Sequence, residues 1–125
     1  MVKGDGPQPT PKPQGAYFIH TVYDDQQCTA GGQSFIWADG ECASWDGVSF
    51  KASCSSGSLS VTAFYQSTNC TGPTADKTEP LNTCKEDAAD FCYYKNQCVS
   101  SSEGTHSSPR AAKHLVSQIR RLPKN

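Results

Sequence analysis

Hydrophobic positions along this chain come in short alternating runs separated by Gly, Ser, Asn and Pro. Tyr17, Ile19, Thr21 and Tyr23 fall on one side of the first run, and Phe18, His20 and Val22 on the other. A period of two in aromatic and β-branched residues predicts a strand over 17–23. A second run, Leu59, Val61, Ala63 and Tyr65, lies 42 residues later and keeps the first face hydrophobic. That face is the expected core. The other face becomes Ser60, Thr62 and Phe64 and is expected to be only partly covered.

The two runs belong to an internal repeat, the kind of signal that decides architecture. Residues 17–42 align with residues 59–84 without a gap, setting Cys28 on Cys70, Cys42 on Cys84, Tyr23 on Tyr65 and Thr29 on Thr71. Phe50–Cys54 then matches Tyr94–Cys98 at an offset two residues larger, so the second copy carries a small insertion. Each copy predicts two further strands, Ser34–Trp37 and Val48–Cys54 in the first, Asp76–Glu79 and Phe91–Cys98 in the second. Cys54-Ser55-Ser56-Gly57-Ser58 predicts a hairpin between the copies, and Glu86–Asp90 one helical turn. The expected fold is all-β: a small disulfide-stapled sandwich or barrel built from two tandem three-stranded repeats, 17–54 and 59–98, within a domain spanning 16–98.

The flanks read differently. Pro7, Pro9, Pro11 and Pro13 alternate with polar residues, so residues 1–15 predict an extended arm, a linker or stalk. Residues 99–125 predict a Ser-rich linker and a basic amphipathic tail. There Ser108 can cap, Pro109 suits the first helical position, and Ala112, Leu115, Val116, Ile119 and Leu122 recur at helical spacing before Pro123. Residues 109–125 hold five basic residues and no acid, a net +5 against −6 for the rest and −1 overall. Such a helix can meet an anionic surface weakly, while the chain as a whole lacks nucleic-acid character.

A foldable part this small has a marginal core, and its seven cysteines are the expected staples. Their spacing lacks the paired C-x2-C of zinc sites, so disulfides in an oxidising compartment are the better reading. Cys28, Cys42 and Cys54 match Cys70, Cys84 and Cys98, whereas Cys92 falls opposite Val48 and is the extra, unpaired cysteine on pattern grounds. A triplet cannot close on itself. Either a bridge joins the two copies, or Cys92 completes the second triplet and strands one cysteine of the first.

Catalytic chemistry finds no support. Asp24/Asp25 and Asp39/Glu41 lie on loops, and the second copy replaces the first pair with Gln66/Ser67. Asp39-Gly40-Glu41 lacks the ligand ladder of a calcium loop. His20, His106 and His114 are scattered, with no nucleophile motif beside them. No catalytic residue, metal ligand or cofactor is expected. Trp37 and Trp45 flank Cys42 and could cap the core or stack on a sugar ring. Asn69-Cys70-Thr71 is an N-glycosylation sequon at Asn69.

Tyr65, Cys70, Gly72 and the run Pro80-Leu81-Asn82-Thr83-Cys84, with Phe50–Cys54 in keeping, resemble cysteine-rich repeats of secreted and cell-surface proteins of slime moulds, oomycetes and related protists. The first copy departs from that pattern, with Ala30 in place of the glycine and Ala38-Asp39-Gly40-Glu41 before Cys42. The resemblance implies an extracellular, non-enzymatic surface, wall or matrix protein, and carries over no active-site residue. The expected function is therefore a secreted structural or adhesive module of a cell surface, matrix or filament. Its expected partners are itself or other surface and matrix components. The alternatives are a small carbohydrate-binding protein that contacts glycans through Trp37 and Trp45, and a secreted effector or inhibitor.

Overall fold

In the computed structural model, residues 16–100 and 106–124 are described. The Pro-rich arm and residues 101–105 of the Ser-rich linker lie outside them. Among the described residues, nine strands form two antiparallel sheets. The first sheet has the order β7-β8-β1-β2-β9 and the second β3-β4-β5-β6. The strands are β1 (Tyr17–Tyr23), β2 (Gln33–Ala38), β3 (Ala43–Trp45), β4 (Val48–Ser55), β5 (Ser58–Phe64), β6 (Thr74–Pro80), β7 (Lys85–Asp87), β8 (Cys92–Val99) and β9 (His106–Ser107). The all-β, disulfide-stapled expectation holds. Each repeat, however, has four strands, because short β3 and β7 precede the long β4 and β8.

The repeats interlock. The first sheet pairs β1 and β2 of the first repeat with β7 and β8 of the second, and the second sheet pairs β3 and β4 with β5 and β6. Exchanging the repeats maps one sheet onto the other. The insertion seen in the sequence sits in one turn. Asp46-Gly47 joins β3 to β4 with φ of 50° and 86°, the two left-handed positions of a type I′ hairpin. The matching turn is a 3-10 turn at Ala88–Asp90 followed by Phe91 at φ 54°.

All three disulfides cross between the repeats: Cys28–Cys84, Cys42–Cys70 and Cys54–Cys98. The first two exchange under the repeat relation, and the third joins equivalent residues. Cys92 is the free cysteine and is buried.

The core face of the first repeat corrects the sequence reading. Phe18, His20 and Val22 are buried, while Tyr17, Ile19 and Tyr23 are partly exposed. In β5 the expected face is the buried one, with Leu59, Val61 and Ala63 in the core. The reason is one residue of slippage. Four residues separate β1 from Cys28 and five separate β5 from Cys70. Aligning the cysteines therefore shifts the strands by one, and one residue turns every side chain to the opposite face.

Residues 99–125 also need correction. The helix α1 (Pro109–Arg120) is part of the domain and packs against β1, β2 and β3, touching both sheets. Ala111, Ala112, Leu115, Val116 and Ile119 join the same core as Phe18, Phe35 and Phe50. Ser108 spends its hydroxyl on Gln33 Oε1 (3.0 Å) and its N–H on Ser34 O (3.0 Å), which fastens the helix start to β2. The basic residues meet acids of the domain: Arg110 pairs with Asp24 at 2.6 Å and Arg120 with Asp46 at 3.1 Å. Exposed pairs contribute about 0–1 kcal/mol, whereas each buried aliphatic side chain contributes about 1.5–3 kcal/mol, so burial dominates the docking. The apolar face that a membrane-lying helix would need is taken up by the core.

Leu115→Ala is expected to lower unfolding stability by about 2–5 kcal/mol, and Lys113→Ala to change it by less than about 0.5 kcal/mol. Urea denaturation reads both. Equal, small effects would mean that α1 is an appended tail after all.

Candidate functional site

Beneath α1 the inner face of the first sheet is polar where its counterpart is not. His20, Tyr94 and Asn96 occupy positions that correspond to Val61, Phe50 and Ala52 in the second sheet. The helix supplies the partners. His20 Nε2 lies 2.8 Å from His114 Nδ1, and His20 Nδ1 lies 2.7 Å from Asn96 Oδ1. His114 Nε2 is 2.8 Å from Asp87 Oδ2, and Arg121 donates to both oxygens of Asp87. The two imidazoles stack with centroids 5.0 Å apart. Beside them, buried Lys77 donates to Gln118 Oε1 at 2.7 Å and pairs with Glu79, which also accepts from the Tyr94 hydroxyl.

Burial dominates the titration of both histidines. It pushes His20, with help from the His114 charge, down to about 3, and it pulls His114 down against the opposing pull of Asp87. Arg121 first, then His114, hold the Asp87 carboxyl well below the usual range. Burial lowers Lys77 and pushes Tyr94 up to about 12.

A proton count fixes the bonding. With both rings neutral, His114 donates from Nε2 because the Asp87 carboxylate only accepts. Its Nδ1 then accepts from His20 Nε2–H, and His20 Nδ1 accepts from the Asn96 amide, which turns its nitrogen inward. One added proton reverses this: His114 donates from both nitrogens, and His20 Nδ1–H donates to Asn96 Oδ1. A second proton sets two N–H groups head to head at 2.8 Å and breaks the chain.

Every ring nitrogen is therefore engaged, and neither histidine has a lone pair directed at a substrate. Asp87, Asp90 and His114 bring ligand atoms within 4.8 Å of one another, a set that resembles a metal site. Arg121 already bridges both carboxylates, at 2.6 and 3.3 Å, so a cation stands where the metal would go. Cys92 lines a pocket of 280 Å³ with Val22, Asp90, Arg110, His114 and Ser117. Burial raises its thiol above the ordinary value, with Asp87 and Asp90 adding to the shift, so it is a poor nucleophile.

The outer face of the first sheet is the second unusual feature. Its rows are Tyr17, Val99 and Ala38; Ile19, Gln97 and Ile36; Thr21, Lys95 and Ser34; Tyr23, Tyr93 and Glu86. The equivalent rows of the second sheet begin Ser58 and Ser55, Ser60 and Ser53, Thr62 and Lys51, Phe64 and Ser49. The centre keeps Thr and Lys in both sheets and Tyr23 matches Phe64, while Tyr17, Ile19 and Val99 on one become serine on the other. The Tyr23 ring lies over Gly32, where a Cβ would come within 2.9 Å of it, and Lys95 Nζ sits 5.8 Å from its centroid. Nearby in sequence, Phe91 is 94 % exposed in a left-handed conformation that a bulky residue rarely takes.

The other residues singled out from sequence lie elsewhere. Trp37 and Trp45 are partly buried and pack against the core, with Trp37 stacked on Phe35 at 5.8 Å. Asn69 is exposed, and the Thr71 hydroxyl donates to its Oδ1 at 2.7 Å. Asp25 accepts from the N–H groups of Thr29 and Ala30, and those bonds with the Thr29 hydroxyl draw its carboxyl down to about 2. The histidine pair escaped the sequence reading because its members are 94 residues apart on unlike elements. The alternation of the first strand did contain the outer face, assigned to the wrong side.

Residues 3–73 match the family described as protein of unknown function (DUF3586), and the chain belongs to that family. No solved structure matches it.

Two outcomes follow. A histidine with its folded pKa lowered is neutral in the folded state and charges on unfolding, so stability is whole above pH ~6.5 and falls as pH drops toward ~3. The loss is expected to run at about 1.4 kcal/mol per pH unit for each excess proton taken up by the unfolded chain. Asp87 adds a further loss only below about pH 4, where unfolded carboxylates protonate. Urea midpoints from pH 7.5 to 4.5 should show the slope in the native chain and not in His20→Val/His114→Leu; a flat native profile would refute the pairing. Iodoacetamide at pH 7.5 should leave Cys92 unmodified until the chain is denatured, and rapid labelling of the folded protein would contradict its burial.

Proposed function

We propose that this member of the DUF3586 family is a non-enzymatic adhesive module of the cell exterior that works by contact through the outer face of its first sheet. The observation that carries the reading is the difference between two sheets of one fold. Ser58, Ser60 and Ser55 on one outer face are Tyr17, Ile19 and Val99 on the other. Related positions under the same folding constraint have diverged toward apolar and aromatic side chains where no core requires it. Aromatic side chains suit an interface, since they cover area at small entropic cost. Phe91, held exposed at positive φ, adds a projecting anchor at the β7–β8 turn.

The three disulfides belong to an oxidising compartment, and no helix among the described residues is long and apolar enough to cross a membrane. The engaged histidine nitrogens and buried thiol support a non-enzymatic reading. Exposed Asn69, with its threonine hydroxyl already against the amide, supports glycosylation in the secretory pathway.

Beads coated with the full chain should cluster, and beads coated with Tyr17→Ser/Ile19→Ser should stay dispersed. These serines stand at the equivalent positions Ser58 and Ser60 of the other sheet, so the variant should fold. Equal clustering of both would count against the face as the contact surface.

A further inference from the structure

We propose that the outer face of the first sheet is a receptor for the proline-rich arm of a second copy of this chain, so that two copies exchange arms. The inference rests on the reading of that face as the contact surface and adds its occupant. Three observations select the arm. The face is lined by Tyr17, Tyr23 and Tyr93, and proline-rich segments dock on surfaces lined by aromatic rings, where the pyrrolidine edge packs against the ring face. The chain carries the matching ligand: Pro7, Pro9, Pro11 and Pro13 fall at every second position in a segment with no large apolar side chain of its own. Proline fixes φ, so such a segment loses little conformational freedom on binding.

The third observation is where the arm joins the domain. Residue 16 leads into Tyr17, which is itself in the end row of the face. The strand runs from Tyr17 toward Tyr23, so the arm is joined to the domain at the Tyr17 end of the face. Thirteen residues, 3–15, reach about 40 Å at roughly 3.1 Å per residue. The face is seven residues long along β1, about 23 Å at roughly 3.3 Å per residue. The arm is long enough to cross from one copy and cover the other's face. Reciprocal exchange buries both faces and closes the assembly as a two-fold dimer, which leaves neither face open for further addition.

The charges are compatible. The arm holds Lys3 and Lys12 against Asp5, and the face carries Lys95 and Glu86. Tyrosine hydroxyls and Gln97 can bond the carbonyls of a polyproline segment, which has no internal hydrogen bonds. The outer face of the second sheet keeps one ring, Phe64, and has serines in place of Tyr17 and Tyr93, so the first sheet's face is the better docking surface.

The test uses the full chain in three forms: native, Pro7→Ala/Pro9→Ala/Pro11→Ala/Pro13→Ala, and Tyr17→Ser/Tyr93→Ser. Sedimentation velocity over a concentration series gives the dimer constant, with a peptide of residues 1–15 as competitor. Native chain should dimerise, both variants should dimerise at least about tenfold more weakly, and the peptide should dissociate the native dimer. If the proline variant dimerises like native while the tyrosine variant does not, the arm is not the occupant, and the face remains the contact surface. If the tyrosine variant dimerises like native, or the native chain stays monomeric over the whole concentration series, the arm-exchange proposal fails. The first of those two results also removes the reading of the face. A far-ultraviolet circular dichroism spectrum matching native, with a cooperative urea transition, confirms that each variant is folded.

Discussion

The structure depends on three covalent bonds, each of which ties one repeat to the other. No sheet belongs to a single repeat, and no bridge closes within one. Each repeat alone would have two pairs of strands facing apart, with half of each sheet missing. In the chain-entropy account each bridge contributes about 2–4 kcal/mol by constraining the unfolded chain. In a domain whose core is this small, that is comparable to the whole margin of stability. The free Cys92 replaces a valine at an equivalent buried position, where it serves as an apolar filler.

The helix breaks the symmetry that the bridges preserve. Two equivalent sheets would pack an apolar face on an apolar face, but α1 lies against both and needs polar partners on one of them. His20, Tyr94 and Asn96 supply these where the other sheet has Val61, Phe50 and Ala52. The result is a buried chain of hydrogen bonds from Asn96 through two imidazoles to Asp87 and Arg121. Such a chain is favourable only when every member is satisfied, so it fixes the seating of the helix and makes that seating sensitive to protons. The charge division along the chain has the same origin: the basic segment meets Asp24 and Asp46 on loops and Asp87 at the end of β7.

Alternation and cysteine matching made the fold class, most strands, the β4–β5 hairpin and the odd cysteine legible. Three features were not. The faces of the first strand were inverted because alignment on Cys28 and Cys70 hides a loop one residue longer in the second repeat, and side-chain direction has a period of two. The helix pattern at Pro109–Arg120 was clear, but its basic residues also fit a free surface helix, and their acidic partners lie 31 to 86 residues away in sequence. The His20–His114 pair is a contact between a strand and a helix, set by tertiary packing alone. The outer face is a middle case. Its residues were visible as an apolar run, and only the three-dimensional comparison with the serine-rich sheet shows that they point to solvent.

The account turns on the interlocking of the repeats, and disulfide mapping tests that most directly. Proteolysis of the unreduced, alkylated protein followed by mass spectrometry should yield peptides linked Cys28 to Cys84, Cys42 to Cys70 and Cys54 to Cys98, with Cys92 unlinked. A bridge within one repeat, such as Cys28 to Cys42, or any bridge to Cys92, would contradict the shared sheets and everything built on their comparison.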